Sequence, residues 1–228
     1  MKKIILMGNP NVGKSAIFSR LSGVRVITSN YHGTTVEFSK GKIQIDNEQY
    51  EVIDVPGVYT LSPTNNAEEV ATKMLDEIFA DSEAKKNNIV VNVIDSSNLE
   101  RNLNLTLQLI KRNIPVIGVL NFWDEAKFKG IDINIEKLQE ILGIKFVSTC
   151  AVTGEGIKKL VGYFKSVDIS NFTYQEDKRW QTIGEIVDKV QKLTHKKSTF
   201  LEKFGDLSVS PLYGLPVALF VLYFSFQA

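Results

Sequence analysis

GNPNVGKS, residues 8–15, follows directly on the apolar run IILM, residues 4–7. The spacing is G-x-x-x-x-G-K-S, between a run that reads as a buried strand and residues 14–21, which read as a helix. Glycines let a backbone turn so that successive N–H groups face one point, and the following helix adds the positive end of its dipole. Such a loop cradles phosphate: Gly8, Asn9, Pro10, Asn11, Val12, Gly13, Lys14, Ser15 and Ala16 are the expected lining. Lys14 would set its ammonium between β- and γ-phosphates, and the Ser15 hydroxyl would ligate Mg²⁺.

Working outward, short apolar runs alternate with helical patterns. Strands are predicted at 4–7, 36–45, 50–55, 89–94, 115–120 and 145–149, and helices at 67–79, 99–111, 135–142 and 157–165. Residues 36–55 form a hairpin turning near Asp46-Asn47-Glu48. The fold class is α/β: a mostly parallel six-stranded sheet with helices on both faces, spanning residues 1–165. Residues 166–206 read as a short helical appendage, with one helix at 180–195 whose apolar stripe is chiefly packing. The Glu83–Lys86 run reads as a solvated loop.

Composition is that of a globular protein, with 43% hydrophobic and 23% charged residues. A single cysteine excludes an internal disulfide and a cysteine metal cluster. A net charge of +1 offers nothing to nucleic acid, and none is expected as a partner. Four apolar residues after Met-Lys-Lys are too few for a secretory signal, so this part is expected in the cytosol. Residues 207–228 carry no charge and read as the start of a transmembrane helix. From 215 to 228 they supply roughly 21 Å of helix, short of the roughly 30 Å a bilayer requires, so the segment reads as cut.

The remaining nucleotide-binding parts follow in chain order. Asp54-Val55-Pro56-Gly57 is a D-x-x-G loop after a strand: Asp54 would hold Mg²⁺ through water, and the Gly57 amide would sense the γ-phosphate. Gly33, Thr34 and Thr35 lie where a mobile loop could close, with Thr35 the expected second Mg²⁺ oxygen. Asn121-Phe122-Trp123-Asp124 ends a strand, as an N-x-x-D guanine selector does; Asp124 can accept two hydrogen bonds that adenine cannot donate. In Thr149-Cys150-Ala151 a backbone N–H could meet the guanine O6. The expected ligands are therefore GTP or GDP with Mg²⁺.

These motifs, in this order, resemble a Ras-like GTPase. Asn-Pro-Asn-Val-Gly-Lys-Ser resembles the TrmE–Era–EngA–septin-like branch, where the residue matching Asn11 can bind K⁺; Asn30 would then support that ion. Val58 stands where Ras-type enzymes carry a water-orienting glutamine, which implies slow intrinsic hydrolysis, with K⁺ stimulation expected. The catalytic set implied is Lys14, Asn11, Thr35 and Gly57.

Four further stretches resemble ferrous iron transport protein B: NYHGTTVE (30–37), DVPGVYTL (54–61), NFWDEA (121–126) and TGEG (153–156). SPLYGLP (210–216) resembles the opening of that family's first membrane helix. Tyr31-His32 departs from the family's Trp-Pro, and the helical domain that usually follows is abbreviated here. The resemblance implies a cytosolic regulatory GTPase domain at the inner membrane. Its partners would be the membrane-embedded iron permease of the same chain and small cytosolic accessory proteins, with homo-oligomers possible. The alternative is a soluble Era-like GTPase acting on RNA.

Overall fold

The computed structural model describes residues 1–22, 26–165, 167–194, 215 and 223–226. Residues Met1–Leu193 form one compact unit and Thr194–Ala228 a second. In the second unit Leu215 and residues 223–226 are helical and exposed. No helix among the described residues is long and apolar enough to cross a membrane.

The first unit is a seven-stranded sheet in the order β2-β3-β4-β1-β5-β6-β8. The strands are β1 (Lys2–Gly8), β2 (Val26–Asn30), β3 (Glu37–Ile45), β4 (Glu48–Asp54), β5 (Asn88–Asp95), β6 (Val116–Asn121) and β8 (Lys145–Ser148). Strands β4, β1, β5, β6 and β8 run parallel to one another, while β3, antiparallel to β4, and β2 add an antiparallel edge. A small ladder pairs β7 (Ile131–Ile133) with β9 (Gln191–Leu193).

Alternation along the central strands sorts the core into two layers. Ile5, Met7, Ile53, Val90 and Ile94 face one side, against α2 (Asn66–Ile78), α4 (Leu99–Lys111), α6 (Ile135–Leu142) and α8 (Arg179–Val190). Ile4, Leu6, Val52, Val91 and Val93 face the other, against α1 (Lys14–Ser22) and α7 (Ile157–Tyr163). A sheet covered on both faces favours apolar residues on both sides of a strand, which is why β5 and β6 read as near-continuous hydrophobic runs. Helix ends are set locally: Asn65 caps α2 by accepting from the Glu68 N–H, Asn134 caps α6, and Gly143 closes α6 at φ 61°. The remaining short helices are α3 (Ser82–Asn87), without a buried residue, and α5 (Trp123–Phe128).

The structure differs from expectation in four places. The Glu83–Lys86 run, expected as a solvated loop, is helix α3, because Asp81 caps it by accepting from the Ala84 N–H. The sheet has seven strands, not six: residues 26–30 form β2 although their side chains are mostly exposed, because main-chain pairing to β3 makes the strand. Helix α8 stops at Val190 rather than at 195, since the next three residues pair with β7; His195 lies outside the described residues. The compact unit runs on to Leu193, past the boundary at 165, because Ile183, Ile186 and Val190 are buried in the sheet's own core.

Candidate functional site

The loops after β1, β4, β6 and β8 all leave from the carboxyl ends of parallel strands, so they gather on one edge of the sheet. Strand β1 sits where the chain changes direction across the sheet, the usual place for a ligand crevice in an open α/β fold.

Within the first loop, Asn11 (φ 64°) and Gly13 (φ 82°) both adopt left-handed backbone. At Gly13 a Cβ would lie 2.3 Å from Asn121 Nδ2, so glycine is required for the loop to approach β6 this closely. Asn121 is fully buried and works as a staple. Its Nδ2 donates to Val12 O at 2.9 Å, and its Oδ1 accepts from Thr149 Oγ1 at 3.2 Å and the Ala151 N–H at 3.1 Å. Asn9 is buried, and neither its Oδ1 nor its Nδ2 has a protein partner among the described residues.

Lys14 and Ser15 converge on Asp54. Lys14 Nζ lies 2.8 Å from Asp54 Oδ1, and Ser15 Oγ donates to Oδ2 at 2.7 Å. Lys14 and Asp54 side chains are 11% and 9% exposed, so this ion pair is largely shielded from water. The two loops are also zipped by backbone: Val55 N–H donates to Leu6 O and Val58 N–H to Gly8 O. A Cβ on Gly57 would sit 2.8 Å from Pro10 Cα, which explains the glycine sterically.

No hydrogen bond among the described residues joins residues 30–35 to this centre. Thr34 Oγ1 donates to Tyr31 O and accepts from the Val36 N–H, so it holds a turn. Thr35 is exposed, and no hydrogen bond joins it to Ser15 or Asp54. Gly33 through Thr35, with Asn30, line a cleft of about 940 Å³ whose other wall is Asn66, Glu69, Val70 and Lys73 of α2. Tyr31 Oη donates to Glu77 Oε1 at 2.5 Å, and that bond holds the phenol above its usual range. Asn30 ends β2 opposite Glu37, and no hydrogen bond among the described residues joins it to Asn11.

At the other end, Phe122 takes a left-handed conformation (φ 56°) and starts α5, which carries Asp124 exposed in its first turn. A free amide in the loop after β8 is not found at the three expected positions. Thr149 N–H donates to Leu120 O, Cys150 N–H to Glu155 O and Ala151 N–H to Asn121. Sequence reasoning missed Arg20, whose Nε donates to Ala151 O at 3.0 Å and whose Nη2 donates to Val152 O. It looks like any polar face residue of an amphipathic helix, and no spacing marks it.

A family model for ferrous iron transport protein B matches residues 2–163. The chain belongs to that family. The Fe(2+) transporter FeoB of Campylobacter jejuni is 31% identical over 240 residues, covering 99% of this chain and 38% of that protein. An Fe(2+) transport protein A/FeoB fusion protein of Porphyromonas gingivalis is 41% identical over 158 residues, 69% of this chain and 18% of that one. This chain thus spans well under half the length of these relatives. Among solved structures, the cytosolic domain of L. pneumophila FeoB superposes with a TM-score of 0.73 at 28% identity, over 83% of this chain and 99% of that one. An S. thermophilus NFeoB E67A mutant bound to GDP gives a TM-score of 0.67 at 35% identity, over 82% and 71%. The matches make residues 2–163 a Ras-like G domain of this family and favour it over an Era-like protein acting on RNA.

Proposed function

We propose that residues 1–165 bind GTP and GDP with Mg²⁺, hydrolyse GTP slowly, and act as the regulatory domain of a ferrous iron transporter on the cytoplasmic face of the inner membrane. The observation that carries this is the convergence of Lys14 and Ser15 on one carboxylate, Asp54, beneath a glycine loop stapled to the N-x-x-D strand. The residues fit the nucleotide: an ammonium, a hydroxyl and a carboxylate meet at one point, and the buried amide of Asn9 has no protein partner among the described residues. The GDP-bound S. thermophilus relative supports the same ligand.

A bound Mg²⁺ would neutralise charge developing on the phosphates. Ser15 and Asp54 would hold it, with Thr35 closing from the turn at 31–36. Lys14 would exchange Asp54 for phosphate oxygens. Asp124 would accept from the guanine edge while Asn121 keeps the two loops in register. Val58 is buried and offers no group to orient water, which supports a slow intrinsic rate. Asn11, exposed on its left-handed turn, is the proposed K⁺ ligand, with Asn30 in support.

The partners proposed are the permease part of the same protein and a small accessory protein. The P. gingivalis fusion to an Fe(2+) transport protein A supports the latter. Titration of the chain with fluorescent GTP, GDP and ATP, with and without Mg²⁺, tests the reading. It expects guanine nucleotides alone to bind, and hydrolysis faster in KCl than in NaCl. Equal ATP binding would overturn the guanine assignment; equal rates in the two salts would remove K⁺.

A further inference from the structure

Helix α4 is buried along almost its whole length, yet carries Asn102, Asn104, Thr106 and Gln108. Buried polar side chains need partners, so their destinations are informative. Asn102 and Thr106 are held within α4 and by β5: Asn102 Nδ2 donates to Asn98 O at 2.8 Å, and Asn92 Nδ2 donates to Thr106 Oγ1 at 2.6 Å. Asn104 and Gln108 reach a different place. Asn104 Nδ2 donates to Tyr59 O at 2.9 Å. Gln108 Oε1 accepts from the Leu61 N–H at 2.7 Å and from Thr60 Oγ1 at 3.1 Å. One turn earlier, the Arg101 guanidinium stands 4.4 Å from the Tyr59 ring centroid. Positions 101, 104 and 108 share one face of the helix. That face therefore grips residues 59–61, directly downstream of Gly57.

We propose that Gln108, assisted by Asn104, is a positioning residue for GTP hydrolysis; the inference rests on the reading above. Gly57 is held on one side by Pro10 and by the Val58–Gly8 bond. On the other side, its backbone is led away by the grip on Tyr59, Thr60 and Leu61. Because Val58 contributes no catalytic side chain, the placing of the Gly57 N–H carries the distinction between GTP and GDP. Among the described residues Asn104 Oδ1 and Gln108 Nε2 are buried without protein partners, so the same face has a second donor and acceptor to offer when the segment shifts. A second arrangement made with those two atoms would give the segment two states on one helix face.

Three variants of the full 228-residue chain test this. Gln108→Leu removes both bonds at similar volume. Gln108→Glu keeps an oxygen to accept them. Arg101→Ala, at an exposed position, removes only the ring contact. Affinities for GDP and a non-hydrolysable GTP analogue are measured with Mg²⁺, alongside single-turnover hydrolysis and melting temperature. Gln108→Leu is expected to bind GDP normally but to lose about tenfold in analogue affinity or hydrolysis rate, with Gln108→Glu recovering most of it. An unchanged analogue-to-GDP ratio and rate overturns the proposal, as does an equal loss for both nucleotides. If Gln108→Leu does not fold, Arg101→Ala decides: a shift of about twofold toward GDP supports the grip, and no shift overturns it. Failure of the wild-type chain to bind either nucleotide would instead sink the GTPase reading.

Discussion

Asp124 and Gly57 show how differently two motif residues depend on their surroundings. Asp124 is exposed at the start of α5, so its proposed role is chemical and a substitution there leaves packing alone. Asp124→Asn swaps one acceptor oxygen for a donor amide. GTP affinity should fall by about a hundredfold while the affinity for xanthosine triphosphate rises, because xanthine carries a carbonyl where guanine carries its amine. Competition binding with the two nucleotides measures both, with an unchanged melting temperature as control. Gly57 is the opposite case. Its Cα faces Pro10 so closely that Gly57→Ala forces two backbones apart, at about 1–3 kcal/mol. Thermal unfolding of the ligand-free chain should show that loss before any nucleotide is added. The D-x-x-G spacing marks Gly57 for its amide; the steric demand of Pro10 cannot be read from it.

At the scale of elements, the β3–β4 hairpin offers a titration test. Tyr50 begins the paired core of β4, and burial, followed by its hydrogen bond to Glu48 Oε2, pushes its phenol up to about 12. The ordinary value is about 10, so the folded state holds the proton more tightly than the unfolded chain. The stabilisation is complete below pH 10 and is lost as pH rises from 10 toward about 12. Denaturant midpoints across that range should drop in the wild type and drop less in Tyr50→Phe. A second element, β2, carries no strand signal in the sequence. Side-chain alternation carries the signal for a strand, and Val26–Asn30 is exposed almost throughout; only the ladder to β3 defines it. Helix α6 was legible to the residue, because Gly143 ends it through local geometry alone.

For the whole molecule, the question is where the domain ends. The composition shift after residue 165 suggested a boundary, yet α8 buries Ile183, Ile186 and Val190 against α4 and α6, and β9 extends the contact to β7. Lys111 and Glu176 tie α4 to the entry of α8. A chain cut after residue 165 should therefore expose part of its core and melt well below one that extends to 193. Loss of a single such buried isoleucine alone costs about 2–5 kcal/mol. Calorimetry of the two fragments measures it, with one transition expected for residues 1–193. Two separate transitions in the longer fragment would restore an independent appendage.

By itself the sequence determined the α/β class, the glycine loop after β1, the D-x-x-G and N-x-x-D spacings, and the family, because each is local: a period, a spacing or a backbone requirement within a few residues. Tertiary structure alone decided that Lys14 and Ser15 meet on Asp54, that Asn121 staples two loops, that β2 joins the sheet and that α8 belongs to the core. Those are pairings between residues 28 to 109 positions apart or between whole elements. No periodicity records them, because a hydrogen bond or a buried face is chosen by whichever partner the fold brings near.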